Sequence, residues 1–485
     1  MSQTATPEAA SMQRTLRRIG DLPGPRGVPF LGNLLQIDNA RMHQVLERWQ
    51  RRYGDFYRFR LGGREFLAVA DPAAVAAMLR DRPDGFERTR RATETIADMG
   101  FDGVFSARGE RWRRQRPMVM AAFDPAHVRS YFPTLVTVTG RLARRWSRAA
   151  AEGKPIELLP ELMRYTVDVT AGLAFGSDIN TIESDSEVIQ DHLDKIFPAL
   201  ARRVLAPLPY WRYVKLPADR KIERHLAALH LAVKGFIDQA RQRLDQDPDL
   251  RAKPRNLIEA MIAARDADSS GLGDDDVAAN VLTMLLAGED TTANTLAWMI
   301  YLLDRHPVVR DRIAGDVRAV LAGAPQPTRY EQLAMLDMVE ACAQETLRLK
   351  PVAPLLALQA ARDSVVAGIA VPAGSLVMCL LRPAAVDDRH FADADVFKPE
   401  RWQDDPAKHG SARRVAMPFG GGPRICPGRY LALQEIKMVI GMLFGTFDRL
   451  RVILPGGGEA QERLALTMAP QKILLELTPG SRSPA

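Results

Sequence analysis

Cysteine is scarce in this 485-residue sequence: Cys342, Cys379 and Cys426 are its only three. They are odd in number and widely spaced, so neither a disulfide framework nor a CxxC zinc site is indicated, and a reducing cytoplasm is the expected setting. Long apolar runs are lacking too. The opening MSQTATPEAASMQRTLRRIGDLPGPRG has no hydrophobic core, which argues against a signal peptide or a membrane anchor there. One uncharged stretch, Ser364 to Leu381, approaches spanning length, but Gly368, Pro372 and Gly374 interrupt it, and its alternating Val, Ile and Leu read as a buried β-hairpin. No membrane span is expected. Charge of one sign is not concentrated either: 66 Lys+Arg face 59 Asp+Glu, a net +7 spread along the chain. With no groove-reading motif beside it, that surplus does not point to nucleic acid. Repeats and low-complexity segments are absent. Although length alone suggests domains of about 150 residues each, the reading is a polar, mobile segment 1–20 followed by one domain, 21–485.

What is present is mostly helical patterning. A helix is predicted around 40–53, then a strand pair near 56–70 (FYRFRLGGREFLAVA) whose Gly-Gly marks a hairpin turn. From about 72 to 350 apolar residues recur at spacings of three and four. Strand character returns over 352–382, and a further helix is expected near 427–446. The fold class is mainly α with small β-sheets (α+β).

The most informative segment is Pro418-Phe-Gly-Gly-Gly-Pro-Arg-Ile-Cys-Pro-Gly428. Its glycines, Gly420 to Gly422, permit a sharply bent backbone that approaches another group closely. Cys426 is placed at a helix start, with Pro427 suited to the first helical position. A thiolate there gains from the helix dipole and free amides. Arg424 adds a cation able to reach a carboxylate. A lone cysteine in a tight loop is ordinarily inert and buried. Phe419, Gly422, Arg424, Cys426 and Gly428 taken together turn the argument toward a thiolate ligand for haem iron.

F-x-x-G-x-R-x-C-x-G resembles the cysteine-loop signature of the cytochrome P450 family. The resemblance implies that fold, a single haem-binding monooxygenase domain, haem b (iron-protoporphyrin IX) buried between a long central helix and the cysteine-loop helix, and Cys426 as axial iron ligand. It covers roughly residues 20–475 and can be followed motif by motif.

Asp274-Asp-Asp276 opens an apolar helix that runs to about Leu303, with Pro307 as its stop. Inside it lies Ala287-Gly-Glu-Asp-Thr-Thr292, awkward company for a buried helix. A local opening is expected, with Gly288 giving room and the Thr291 hydroxyl competing for a backbone carbonyl. Ala287 and Thr291 share a face. The run resembles the family's oxygen-activating A-G-x-D/E-T-T. The likeness assigns Thr291 and Asp290 to proton delivery, Ala287 and Gly288 to the cofactor face, and Glu289 to the helix surface.

Asp337-Met-Val-Glu340 reads as a capping box. By resemblance, the Glu345-Thr-Leu-Arg348 that follows joins Arg401 of Phe397-Lys-Pro-Glu-Arg-Trp402 in a buried network that serves folding rather than catalysis. Trp112 and Arg116, on one face of Gly109-Glu-Arg-Trp-Arg-Arg-Gln-Arg116, would hydrogen-bond haem propionates, as would Arg424. The chain departs from the family at Leu358, where many members carry Arg or His for the same purpose, and Arg362 is the residue nearest in sequence to fill that role.

The function implied is insertion of one atom of O2 into a small lipophilic substrate. Electrons would come from a ferredoxin or flavodoxin with its NAD(P)H reductase, docked on basic residues such as Lys408, Arg413, Arg414, Arg113 and Arg114. A peroxide-using or isomerising relative, or a non-catalytic haem sensor or electron carrier, would share the cysteine loop but has no need of the acid–threonine pair. Segments 87–108, 195–215, 283–292, 352–359 and 464–470 are expected to line the substrate pocket. Within them Arg202 and Arg203 are placed to meet a carboxylate at its mouth.

Overall fold

The computed structural model describes residues 16–480 except 177, 184–187, 207, 268–269, 404–411 and 413. Helix predominates among them, and the strands form one five-stranded sheet and three smaller ones. Leu16–Gly20 had been assigned to a mobile end. Instead Arg17–Arg18 pairs in parallel with Ile369–Ala370, and Ile19–Asp21 makes a 3-10 turn. Residues 1–15, Lys408 and Arg413 lie outside the described residues.

The Gly-Gly hairpin forms as expected. Phe56–Leu61 pairs with Arg64–Val69, and Gly62 turns the chain at φ 60°. The single hairpin expected over Ser364–Leu381 is divided between two sheets. Ser364–Val366 and Ile369–Val371 make a small hairpin, whereas Leu376–Leu380 joins the five-stranded sheet beside Arg64–Val69 and Leu355–Ala360. Pro372 and Gly374, φ 84°, redirect the chain between them.

The central helix is Asp274–Arg305, 32 residues or about 48 Å at ~1.5 Å per residue. Asp276 starts it by accepting the Gly273 amide at 3.0 Å. From Val277 to Leu303 it is buried nearly all round, as a helix enclosed by others must be. Leu158–Phe175 packs closest, and the approach depends on Gly288: a Cβ there would stand 2.7 Å from the Thr170 hydroxyl. Gly288 therefore makes room for a neighbouring helix, not for an opening. The helix is continuous through the acid–alcohol run. Glu289, expected on the surface, is 1% exposed because that side of the helix also faces the interior.

The cysteine loop and its surroundings

Residues 418–428 fold as the glycines dictate. Gly420 and Gly422 have φ 72° and 65°, and a Cβ on Gly422 would fall 2.2 Å from the Leu79 carbonyl oxygen. The Cys426 amide closes the loop on the Phe419 carbonyl at 2.9 Å. The helix itself runs Arg429–Thr446 with Gly428 as its N-cap, so Pro427 precedes the helix and does not occupy its first position. The shift arises because the chain is still extended at Ile425, ψ 146°, after the Gly422–Arg424 turn.

Three arginines pin the loop. Arg116 donates to the Ile425 carbonyl at 2.6 Å, Arg429 to the Cys426 carbonyl at 3.3 Å, and Arg424 to the Ala107 carbonyl at 2.7 Å. Arg424 also lies over the buried Trp112 ring, 4.6 Å from its centroid. Burial pushes the Cys426 thiol up, while the Gly428 amide, Arg116 and Arg429 pull it back down. Cys342 and Cys379, both fully buried, lack that amide. Burial holds Cys342 well above the usual range and pushes Cys379 up to about 12. Each of those two has a single arginine to favour the thiolate, Arg312 and Arg82, whereas Cys426 has an amide and two arginines.

The Thr291 hydroxyl donates to the Ala287 carbonyl at 2.8 Å without breaking the helix. Ala287 is exposed, in contrast to Val281–Leu286 just before it. Asp290 accepts from the Thr467 hydroxyl at 3.4 Å, and that hydroxyl in turn accepts from Asn294 at 2.9 Å. The chain thus ties the acid to segment 464–470, and Thr467 and Asn294 were not foreseen from the sequence. Met468 is pinned beside them: its carbonyl accepts from Trp298 at 3.2 Å and its amide donates to Val352 at 2.8 Å. Gly103 and Val104 press on the same helix further back, with the Val104 amide 2.7 Å from Asn280. Two of the expected pocket segments, 87–108 and 464–470, therefore meet the central helix, which itself carries 283–292, and Val352 joins them through Met468. Segment 195–215 meets residues 94–98 instead, with Arg212 at 2.7 Å from Asp98. Arg203 is spent on Asp219 at 2.9 Å and is buried, which removes it from any role at a channel mouth.

The scaffold network is complete. Glu345, wholly buried, accepts from Arg348 twice at 2.8 Å, from Arg401 at 2.9 Å, from the Lys398 amide at 2.9 Å and from Trp402 at 2.8 Å. Arg348 then reaches the Ala385 and Ala394 carbonyls at 2.6 Å each. Its helix, Asp337–Leu349, has Leu336 as N-cap with no side-chain cap, so the capping box does not form. Glu340 pairs with Lys437 of the cysteine-loop helix at 2.7 Å instead. Arg362, at the surface, pairs with Asp81 at 2.8 Å.

Another residue went unread in the sequence. Glu435, nine positions after Cys426 on the cysteine-loop helix, is 2% exposed and hydrogen-bonded to Thr292. Burial pushes its carboxyl up to about 8 from an ordinary 4.5, so it is neutral in the folded protein at pH 7. The folded state then holds a proton that the unfolded chain releases. Stability from this group is complete below about 4.5 and is lost as pH rises through about 8. Glu435→Gln should remove that slope: its apparent melting temperature declines less than the wild type's between pH 5 and pH 8, each pKa unit being worth about 1.4 kcal/mol. Parallel melting curves for the two proteins would contradict the assignment.

The family model for cytochrome P450 matches residues 22–476. The chain belongs to the cytochrome P450 family. Proteins of that family bind haem b through a cysteine thiolate, and the family is one of monooxygenases, which are oxidoreductases. Similar relatives include a self-sufficient cytochrome P450 monooxygenase of Aspergillus niger, 27% identical over 92% of this chain. Pentalenene oxygenase of Streptomyces avermitilis is 26% identical over 94%, and a human cytochrome P450 is 25% identical over 89%. The chain spans 42% of the Aspergillus protein but 96% of the Streptomyces one. Among the described residues no helix is long and apolar enough to cross a membrane.

The residues present fit haem. Arg424 carries a buried Nε with no hydrogen-bond partner, and burial together with Arg82, Arg116 and Arg108 lowers its pKa to about 9. Glu87 pairs with Arg108, but no acid reaches Arg424 itself, which is what a site for a carboxylate-bearing cofactor requires. Ala287 and Gly420 present no bulk that a flat ring would meet: Ala287 is exposed, and a Cβ on Gly420 would have nothing within 4 Å.

Proposed function

We propose that the chain is a haem-thiolate monooxygenase that inserts one atom of O2 into a small lipophilic substrate by hydroxylation or epoxidation. Haem, when bound, supplies an iron centre that activates dioxygen once reduced. Cys426 would hold it through its thiolate, and Trp112, Arg116, Arg424 and the Phe419–Gly428 loop would frame it. The observation that carries the reading is the presence of two devices in one chain: a cysteine set beside cations in the loop that leads into one helix, and an acid–threonine pair at an exposed turn of another, buried helix.

Asp290 takes up protons and Thr291 holds the last donor hydroxyl in place through its bond to Ala287. Thr467, held by Asn294, fixes where the Asp290 carboxylate lies. Thr291→Ala should leave haem binding intact while product formed per electron pair falls roughly tenfold or more and hydrogen peroxide rises. Full coupling in that variant would exclude Thr291 from proton delivery. A peroxide-driven relative would give product from peroxide alone and be indifferent to this change.

Electrons are proposed to arrive from a ferredoxin or flavodoxin served by an NAD(P)H reductase, in a cytoplasm that keeps the three cysteines reduced. The supporting surface is basic. Arg80 is exposed, with its Cα beside Gly422, and Arg429 and Arg414 flank the loop in sequence. Arg113 is a weaker contributor than expected, being paired with Asp84 and Glu110. The reduced, carbon-monoxide-bound absorption spectrum tests the ligand. A screen for compounds that convert ferric low-spin to high-spin iron, followed by product analysis with surrogate carriers, tests the substrate class.

A further inference from the structure

Leu358 leaves one cation missing from the place where the family resemblance puts it. Strand Phe86–Arg88 runs antiparallel to Leu355–Ala360, and the register sets Arg88 directly opposite Leu358. Directly opposed residues of an antiparallel pair leave the sheet on the same face. A guanidinium is thus delivered to Leu358's side of the sheet from the neighbouring strand.

Its surroundings lead back to the cysteine loop. Arg88 Nε donates to the Phe105 carbonyl at 2.7 Å, and the guanidinium lies 3.6 Å from the Phe105 ring centroid. Two residues on, the Ala107 carbonyl accepts from Arg424. One short stretch of backbone therefore orients both guanidinium groups. Among the described residues neither Nη group of Arg88 has a hydrogen-bond partner, and Arg82, 6% exposed, has none at all, its buried Nε included. Burial, then Arg82 and Arg424, drive Arg88 well below its usual pKa, and no acid answers them. Buried cations in company with one another and without an acid are costly unless an anion joins them.

We propose that Arg88, backed by Arg82, binds a carboxylate of the haem and so supplies the cation that Leu358 does not. The inference rests on the haem-thiolate reading. It makes Arg88 and Arg82 binding residues for the cofactor's acidic edge, in partnership with Arg424. Arg362, engaged by Asp81 at the surface, is left out.

The test uses the purified holoprotein with two readouts, haem transfer to excess apomyoglobin and the propionate bending bands in the resonance Raman spectrum. Arg88→Gln should release haem faster, on the order of tenfold, with the rate partly restored by Arg88→Lys, and its propionate band should move. Arg82→Gln should act in the same direction more weakly, and Arg362→Gln should change neither readout. Wild-type retention with an unmoved band in Arg88→Gln would overturn the inference, as would faster release with the band unmoved, since that marks a merely structural role. A wild-type protein that carries no thiolate-ligated haem would overturn the parent reading instead.

Discussion

Cys426→Ser is expected to abolish the thiolate signature of the reduced, carbon-monoxide-bound protein and all O2-dependent turnover, whereas Cys342→Ser and Cys379→Ser keep both. The contrast follows from environment. Sulfur at 426 sits beside the Gly428 amide, Arg116 and Arg429, all of which favour negative charge on it. A serine hydroxyl in the same place is a far weaker base toward iron, and no change in the loop compensates. Cys342 and Cys379 are each 0% exposed. Their replacement introduces a buried hydroxyl at a cost of about 1–3 kcal/mol, visible as a lower melting temperature, but leaves the loop untouched. The absorption spectrum of the three purified variants decides the matter. A thiolate band that survives in Cys426→Ser, or disappears in either of the others, would move the ligand elsewhere and remove the basis for the proposed chemistry.

The parts of this site that could be read from the sequence are those that lie close together along the chain. Gly420 to Gly428 bend a loop by local rules, and Ala287 and Thr291 share a face by helical spacing, so both were legible. So was the Glu345–Arg348 pair, three apart. Glu289 was misread because helical periodicity reports a buried face only where the other face is wet. The central helix is enclosed on both, and its acids carry no sign of which way they turn. Pro427 was misplaced by two residues because a proline marks the approach to a helix as readily as its first turn. Contacts between distant segments left no trace in local pattern, and the Glu345–Arg401 pair was reached only through the family resemblance. Thr467 on Asp290, Thr292 on Glu435 and Arg88 opposite Leu358 join positions 177, 143 and 270 residues apart. Only strand register and helix packing bring them together. Arg203 shows the converse, a residue chosen for its charge whose partner, Asp219, lies one loop away and claims it.

Glu345→Ala is expected to cost about 3–5 kcal/mol of stability, the largest loss of any scaffold substitution, with haem lost early on heating. The carboxylate is 0% exposed and answers four separate donors, two of them guanidinium groups. Its removal strands Arg348, also 0% exposed, with only carbonyl oxygens for company. Those carbonyls, at Ala385 and Ala394, belong to the irregular passage leading toward the cysteine loop, so the damage spreads toward the cofactor rather than staying on the helix. Arg401→Ala should cost less. Arg401 is 12% exposed, so water can reach part of the gap, and Glu345 keeps Arg348, Trp402 and the Lys398 amide. Unfolding followed both by far-ultraviolet circular dichroism and by haem absorbance measures the two losses separately. Equal losses for Glu345→Ala and Arg401→Ala would mean that burial does not set the scale. A loss below about 1 kcal/mol for Glu345→Ala would place the pair in the weak, solvent-screened class, and some other contact would have to hold the cysteine loop.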